Sequence, residues 1–332
     1  MFNLEKSRLK REVQIRNAKL VFIQVPDGLK PHAQKLASTV EKAGALAIIS
    51  ADPCYGACDL AIAEAESLGA DLLVHYGHSE MLDQAVPPTL YIEAKEKKNV
   101  DVAVRRGLLH LAQWTKIGLV TTVQHVDKLD DVKNLLLAAG KTVVIGDAGK
   151  TKYAGQILGC NYSNAKAVSK EVDAFFFIGG GKFHALGLAL ATAKPIIVAD
   201  PYQNKAFSIG GNARAAILKK RWANIQEATK SESIGILIGL KPGQKKFAKA
   251  LEMKALVENA GKKAVLLALR EITPEALMQF PTIEAFINTA CPRLSLDDGR
   301  RFRKPLVTVT EMLVALGKTK WEELCRTGWF ES

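Results

Sequence analysis

The chain repeats one local pattern three times along its 332 residues, and this repeat limits its possible folds more than any other feature. Each copy opens with a short apolar run that is typical of a buried strand, at 20–25, 117–122 and 234–240. A polar, turn-prone stretch follows each run, with the sequences PDGLKP, VQHVDK and KPGQKK. An amphipathic helix is predicted next, and it ends each time at an Ala-Gly pair, at 43–44, 139–140 and 260–261.

The apolar faces of the three predicted helices are marked by residues at helical spacing. They are Leu36 and Val40 in the first copy, Leu129, Val132 and Leu136 in the second, and Phe247 and Leu251 in the third.

Further apolar runs complete each copy. Second strands are predicted in ALAIIS, KTVVIG and KKAVLLAL, third strands in ADLLVHYGH, VDAFFFIGG and IEAFINTAC, and fourth strands in TLYIEA, PIIVAD and PLVTVT. Such alternation of strands with helices indicates parallel sheets that are covered by helices. The sequence therefore predicts an α/β protein of three similar βα domains, at 1–106, 107–213 and 214–332, with parallel sheets around a pseudo-threefold axis.

The composition is that of a globular protein, with 48% hydrophobic and 24% charged residues. No apolar run approaches the roughly 18–20 residues that span a bilayer, and the charged start of the chain lacks the apolar segment of an export signal. We therefore expect a cytoplasmic protein whose five cysteines do not form a disulfide framework. The net charge of +12 suits an acidic protein surface, a nucleic acid or a ribonucleoprotein, and equally a solvated basic surface.

One cysteine falls in a loop of each copy. Cys58 follows the second predicted strand of its copy, Cys160 lies between the second and third strands, and Cys291 ends the third strand. Because ligands of open α/β sheets bind at the carboxyl ends of the strands, domains around a common axis would bring these loops to one point. Each cysteine also precedes a predicted helix start, where thiols ionise more readily, and Asp59 is the expected N-cap of the first of these helices.

Three such thiolates predict one 4Fe–4S cluster with an iron left open for a substrate. Zinc is the alternative metal, although the cysteines lack the paired spacing of structural zinc sites, and three buried apolar thiols are the structural alternative. Cys54 and Cys58 form a C-x-x-x-C pair, as in the radical S-adenosylmethionine signature, but Ala61 replaces the third cysteine. Cys54 is therefore interpreted as a bystander or a thiol near the cluster, and Cys325 as a surface or packing residue.

The loops around these cysteines carry a resemblance to a known family. The sequence is similar, nearly end to end, to the archaeal diphthamide-synthesis enzymes, the 2-(3-amino-3-carboxypropyl)histidine synthases. The matching segments are IQVPDGL (23–29), YGACDL, HYGHSE (75–80), TTVQH (121–125), GQILGCNYS, FIGGGKFHALGLAL (177–190), ADPY (199–202) and CPRLSLDD (291–298). This resemblance implies that Cys58, Cys160 and Cys291 are the ligands of the cluster.

The resemblance also implies a radical reaction. The open iron of the cluster engages S-adenosylmethionine, and an electron from the reduced cluster cleaves the bond between the sulfur and the methionine γ-carbon. The resulting 3-amino-3-carboxypropyl radical adds to C2 of a histidine of translation elongation factor 2, and 5′-methylthioadenosine is released. This is the first step of diphthamide biosynthesis. The resemblance further implies a homodimer and an electron donor of unknown identity, and we expect neither a membrane nor a direct nucleic-acid target.

The matched segments place polar residues and glycines where they can form a pocket for S-adenosylmethionine around the cluster. The expected pocket residues are Gln24, Asp27, Gly28, His78, Ser79, Gln124, His125, Gly179, Gly180, Gly181 and Asp200. His184 is expected to meet a carboxylate or the incoming imidazole, with a hydrogen-bonded structural histidine as the alternative. Asp200 is expected to bind ribose hydroxyls or the methionine ammonium.

The amino-acid sequence leaves two other functions open. A quinolinate synthase-like enzyme is similar in layout, and it would perform a dehydrating condensation of small acids without S-adenosylmethionine. A cluster-free basic scaffold that binds RNA or the ribosome is the second. Formation of methylthioadenosine distinguishes the first from a diphthamide enzyme, and anaerobic iron and sulfide analysis distinguishes the second.

Overall fold

The computed structural model describes residues 2–82, 86–297, 299 and 301–330, and the strands within these ranges form three sheets. The strands of the first sheet are β1 (Leu20–Gln24), β2 (Leu46–Ile49), β3 (Leu72–Tyr76) and β4 (Thr89–Ile92). Those of the second sheet are β5 (Lys116–Thr121), β6 (Thr142–Val144), β7 (Ala174–Ile178), β8 (Ile196–Asp200) and β9 (Lys205–Ile209). Those of the third sheet are β10 (Ser233–Gly239), β11 (Lys263–Leu269), β12 (Ala285–Asn288) and β13 (Leu306–Thr308).

The three sheets share one strand order, which confirms the predicted repeat. The order is β2-β1-β3-β4 in the first sheet, β6-β5-β7-β8-β9 in the second and β11-β10-β12-β13 in the third. The strands pair in parallel, apart from the antiparallel pair of β8 and β9. Strand β9 is absent from the prediction because it is a half-exposed edge strand and lacks a continuous apolar run.

Helices connect these strands. Their bounds are α1 (Lys6–Ile15), α2 (Ala33–Glu41), α3 (Ile62–Ser67), α4 (Asp101–Leu109), α5 (Leu129–Ala138), α6 (Ser163–Val168), α7 (Phe183–Thr192), α8 (Gly211–Lys230), α9 (Phe247–Asn259), α10 (Pro274–Met278), α11 (Pro292–Leu296), α12 (Val309–Ala315) and α13 (Trp321–Thr327). Among the described residues, no helix combines the length and the apolar character that crossing a bilayer requires.

The repeat extends to the connections after β1, β5 and β10. Each of these strands leads into a short 3₁₀ segment, at Asp27–His32, Val123–Lys128 and Pro242–Gln244. The helices that follow, α2, α5 and α9, end as the Ala-Gly pairs predict. Gly44, Gly140 and Gly261 have φ angles of +96°, +74° and +78°, in the left-handed region that glycine adopts without strain.

The predicted apolar face is correct for α2 and α5 and wrong for α9. Phe247 and Leu251 are 51% and 44% exposed, whereas the residues that α9 buries are Ala250, Met253 and Val257. Apolar residues lie on several sides of this helix, so its periodicity does not distinguish the side that packs on the sheet.

The chain forms two compact units. The first comprises Met1–Asn99, Val123–Asp127 and Lys241–Gly243, and it contains the first sheet. The second comprises Val100–Thr122, Lys128–Leu240 and Gln244–Ser332, and it contains the other two sheets. Each sheet draws its strands from one of the three predicted segments, although the boundaries predicted after 106 and 213 fall inside α4 and α8.

Candidate functional site

Cys58 lies in the first unit, in the loop between β2 and α3. Gln24, at the end of β1, binds this loop twice: its Nε2 donates to the Asp59 carbonyl at 2.7 Å, and its Oε1 accepts the Ala61 N–H at 3.2 Å. The N–H of Gly243 donates to the Cys58 carbonyl at 2.8 Å. A Cβ at position 243 would lie 2.5 Å from Cα of Cys58, so this close approach requires glycine.

Asp59 is not the N-cap that the sequence suggests. Helix α3 begins at Ile62 with Ala61 as its N-cap, and the Asp59 carboxylate is instead buried 3.1 Å from Nζ of Lys241. The Lys241 ammonium also lies 4.3 Å from the centroid of the Tyr55 ring. A buried carboxylate requires a nearby cation, and this one comes from the third repeat. The only sequence signal for it is that KPGQKK occupies the position of PDGLKP in the first copy.

Cys160 lies in the second unit, near the tip of a tight turn before α6. Leu158 and Asn161 exchange backbone hydrogen bonds of 3.0 and 3.4 Å across this turn. Gln156 forms a parallel bridge to Thr121, the last residue of β5. The Cys160 loop is therefore fixed to the carboxyl edge of the second sheet, as the prediction requires.

Cys291 is the N-cap residue of α11, just beyond β12. The Asn288 side-chain amide donates to the Cys291 carbonyl at 2.6 Å. The Thr289 hydroxyl donates to the Leu237 carbonyl of β10 at 2.7 Å. This loop is therefore fixed to the carboxyl edge of the third sheet.

Phe183 and Arg293 connect the Cys160 and Cys291 loops within the second unit. The Arg293 guanidinium lies 3.8 Å from the centroid of the Phe183 ring and donates to the Phe183 carbonyl at 2.8 Å. The same ring packs on Gly159, where a Cβ would lie 2.5 Å from it. Both residues occur in the matched segments of the sequence, but neither was singled out by sequence reasoning.

The phenol of Tyr162 lies between the same two loops. Burial raises its pKa, the Arg293 guanidinium opposes this rise, and the thiolates of Cys160 and Cys291 are near enough to reinforce it. The Tyr162 hydroxyl donates to the Gly159 carbonyl at 3.2 Å. The structure therefore brings two of the three predicted cluster ligands into one neighbourhood, with a cation beside them.

We expect Gly187→Ala, within α7, to destabilise the protein by about 1–3 kcal/mol, the usual cost of overpacking a core. A Cβ there would lie 1.9 Å from the Tyr162 hydroxyl oxygen and 2.6 Å from Nη1 of Arg293, so both buried side chains would have to move. Gly211→Ala is the control, because apart from its chain neighbours and the backbone of its own helix no atom lies within 4 Å of the added Cβ. Urea unfolding followed by circular dichroism measures the effect, and equal midpoints for the two variants would contradict it.

The predicted pocket residues of the first unit are in two kinds of surroundings. Asp27 and Gly28 are exposed, and the Asp27 carboxylate pairs with Nζ of Lys30 at 2.7 Å. Ser79 and His125 are buried. The Gln124 amide donates to the Gly77 carbonyl at 2.7 Å. Their binding of S-adenosylmethionine stays a prediction.

Gln24 and His78 belong to a hydrogen-bonded chain through His75, which sequence reasoning missed. Nδ1 of His75 lies 2.8 Å from Oε1 of Gln24, and its Nε2 lies 2.9 Å from Nδ1 of His78. Burial lowers the pKa of both imidazoles, that of His78 to about 4. Both rings are therefore neutral near pH 7.

The predicted pocket residues of the second unit lie at the ends of β7 and β8. The buried Asp200 carboxylate accepts the N–H groups of Gly181 at 3.1 Å, Tyr202 at 2.8 Å and Gln203 at 3.1 Å, so it stabilises the glycine loop. The Gly181 backbone has a φ of +70°, and a Cβ at Gly180 would lie 2.8 Å from the Tyr202 ring. A Cβ at Gly179 would lie 2.5 Å from the Phe177 ring.

His184 is half-buried between two aromatic rings. Its imidazole centroid lies 5.9 Å from that of Phe177 and 5.0 Å from that of Phe183. Because Phe183 also contacts Gly159, His184 lies near the Cys160 loop. Its expected contact with a carboxylate or an imidazole stays a prediction.

The two remaining cysteines differ in their surroundings. Cys54 is buried, and burial raises the pKa of its thiol to about 12, with the nearby Asp59 carboxylate and Cys58 thiolate acting in the same direction. Cys54 is therefore close to the predicted cluster ligand. Cys325 lies in α13 and packs against the core of the second unit.

The chemistry of the donor set fits an iron–sulfur cluster. No disulfide joins any of the five cysteines, and Cys58, Cys160 and Cys291 are partly exposed, each in a loop beyond the carboxyl end of a parallel strand. Thiolates in such loops are the ligands that iron–sulfur clusters use. The fold and the site together define an α/β protein of three repeats, each presenting one thiol that is suited to a metal cluster.

Comparisons with known proteins agree with this class. Residues 25–325 match the family described as "Putative diphthamide synthesis protein". The 2-(3-amino-3-carboxypropyl)histidine synthase of Pyrococcus horikoshii is 36% identical over 319 residues, which cover 96% of this chain and 91% of that protein. Subunit 1 of the human 2-(3-amino-3-carboxypropyl)histidine synthase is 31% identical over 334 residues, covering 97% of this chain and 74% of that protein.

Solved structures show the same relationship. Dph2 from Pyrococcus horikoshii matches with a TM-score of 0.89 at 34% identity, covering 96% of this chain and 93% of that one. A second structure of that protein, determined with a 4Fe–4S cluster, gives the same values. The chain belongs to the diphthamide synthesis protein family. The expectations of an aminocarboxypropyl transferase enzyme and of a 4Fe–4S cofactor are confirmed at the level of this family.

Proposed function

We propose that this chain transfers the 3-amino-3-carboxypropyl group of S-adenosylmethionine to C2 of a histidine of translation elongation factor 2. This is the first step of diphthamide biosynthesis. One observation carries the proposal: a chain that matches the family over residues 25–325 has a partly exposed cysteine in the matched loop of each repeat. The same match favours this reaction over a quinolinate synthase-like condensation and over a cluster-free scaffold.

The residues of the site have distinct parts in this proposal. Cys58, Cys160 and Cys291 would bind the 4Fe–4S cluster, which supplies the electron for reductive cleavage of the sulfonium when it is bound. The Arg293 guanidinium, beside the Cys160 and Cys291 loops, offsets part of the negative charge of the thiolates. Gln24 positions the Cys58 loop through its two hydrogen bonds to the loop backbone.

Substrate groups would be bound by the residues at the strand ends. In the second unit, Gly180 and Gly181 are exposed and leave backbone accessible to a ligand, whereas Gly179 is buried. Asp200 stabilises this loop. His184 is the side chain proposed to meet the incoming imidazole. In the first unit, the residues proposed to bind substrate groups are Gln124, His125, His78, Ser79, Asp27 and Gly28.

The proposal includes partners and a location. We expect a cytoplasmic homodimer that receives its electron from a separate donor. The net charge of +12 favours association with an acidic region of the protein substrate, since opposite charges steer two proteins together.

An anaerobic assay tests the proposal. The reconstituted enzyme is incubated with a reductant, S-adenosylmethionine and purified elongation factor 2. We expect 5′-methylthioadenosine and a matching mass increase on one histidine of the factor, both of which require the reductant. Formation of 5′-deoxyadenosine, or methylthioadenosine without modification of the factor, would contradict the proposed transfer.

A further inference from the structure

A second group of metal-binding side chains lies in the first unit, apart from the three predicted cluster ligands. The thiol of Cys54 and one nitrogen each of His75 and His78 all lie within 4.8 Å of one another. Cys54 and His75 are buried, and His78 is partly exposed. Within the part of the chain that the structure describes, no other three cysteine, histidine or acidic side chains meet in this way.

The hydrogen bonds of His75 orient this group. Oε1 of Gln24 accepts the Ala61 N–H, while Nε2 of Gln24 donates to the Asp59 carbonyl, so the amide oxygen is the atom that faces His75. Nδ1 of His75 therefore carries the proton, and its Nε2 lone pair points toward His78. Metal-binding histidines usually donate their second ring N–H to an oxygen in this manner.

The group lies at the carboxyl ends of two paired strands. Gln24 ends β1, and its register partner in the neighbouring strand β3 is His75. In the strand order β2-β1-β3-β4, the chain first adds β2 on one side of β1 and then adds β3 on the other side. Open α/β sheets bind ligands at such a switch point, here between β1 and β3. Cys54 approaches from the loop after β2, four residues before Cys58.

We propose that Cys54, His75 and His78 bind one Zn²⁺ ion, with a water molecule as the fourth ligand. One thiolate and two imidazoles suit a borderline-soft cation, whereas Mg²⁺ and Ca²⁺ prefer oxygen ligands. The facing nitrogens of His75 and His78 are 2.9 Å apart, and tetrahedral zinc requires about 3.3 Å, so a small ring rotation is sufficient. A bound cation also supplies the positive charge that ionises the buried thiol.

This inference goes beyond the proposed transfer reaction and does not depend on it. It assigns His78 a second role, as a metal ligand, beside its proposed place among the substrate-binding residues. The zinc ion would connect Cys54, in the loop between β2 and α3, to His75 of β3. It would thereby limit the movement of the loop that contains Cys58.

Cobalt binding tests the site without any catalytic readout. Co²⁺ is titrated into a full-length chain that carries Cys58→Ser, Cys160→Ser and Cys291→Ser. These changes remove the three predicted cluster ligands. We expect one Co²⁺ per chain, with the intense visible bands of tetrahedral cobalt and a thiolate charge-transfer band. The further change Cys54→Ser should abolish the charge-transfer band, whereas Cys325→Ser in the same background should retain it.

Two further variants keep the test decisive if Cys54→Ser disturbs folding. His78→Asn changes a partly exposed residue and should remove the tetrahedral spectrum. Gln24→Leu should weaken cobalt binding about 10–100-fold, as expected for loss of a partner that orients a ligand. An unchanged charge-transfer band in Cys54→Ser, or an unchanged tetrahedral spectrum in folded His78→Asn, would overturn the proposal.

Discussion

Cys160→Ala is expected to abolish cluster retention and to reduce product formation more than 100-fold. Loss of an outer partner of a metal ligand already costs about 10–100-fold, and this change removes a proposed ligand itself. Cys58→Ala and Cys291→Ala should have the same effect, since each is the one cysteine of its matched loop. Iron and sulfide analysis after anaerobic reconstitution measures the first quantity, and methylthioadenosine formation measures the second.

Cys325→Ala is the matched control for these variants. Cys325 is also a partly buried thiol, but it packs on the core of the second unit from α13, so cluster content and product formation should be retained. Cys54→Ala should retain the cluster. Full cluster occupancy in Cys58→Ala would contradict the assignment and transfer the ligand role to Cys54.

Glu311→Ala should lower the free energy of unfolding by about 3–5 kcal/mol, because it leaves a buried guanidinium without its counter-charge. The side chains of Arg221 and Glu311 are both 0% exposed, and two hydrogen bonds of 2.6 Å join them. Glu311 also accepts the indole N–H of Trp329 at 2.7 Å. This pair connects α8 and α12, and through Trp329 it also stabilises the end of the described chain.

Glu252→Ala is the control for the buried pair. Its carboxylate forms an ion pair of 2.7 Å with Lys249 on the surface of α9, where such pairs contribute about 0–1 kcal/mol. Replacing both buried partners, as Arg221→Met with Glu311→Leu, should recover much of the lost stability. Equal losses of stability in Glu311→Ala and Glu252→Ala, measured by denaturant unfolding, would contradict the argument.

Much of the fold was predictable because its signals are local. Two-sided apolar runs specify buried parallel strands, and glycine after a helix specifies its end, so the strands shared by all three repeats were identified. The exceptions are elements whose burial depends on neighbours. Strand β9 is a half-exposed edge, and α9 packs through Ala250, Met253 and Val257 rather than through Phe247 and Leu251.

The candidate site was predictable only in part. The cysteine loops were located because each follows a strand, and the resemblance named the same three thiols. The residues that surround them were not located. Lys241 beside Asp59, and Arg293 beside Phe183, are pairs of residues that are far apart in sequence. No spacing rule connects such pairs, because the packing of separate strands and loops determines which side chains meet.

The amino-acid sequence by itself determined the three repeated strand–helix segments, their parallel sheets and the cysteine that each repeat places after a strand. These properties follow from side-chain periodicity and turn chemistry, which act over a few residues. Only the tertiary structure decided that Cys54 meets His75 and His78, and that a lysine of the third repeat lies beside the Cys58 loop. Such contacts depend on how distant segments pack, and burial then sets the charge and the ligand properties of the groups that meet.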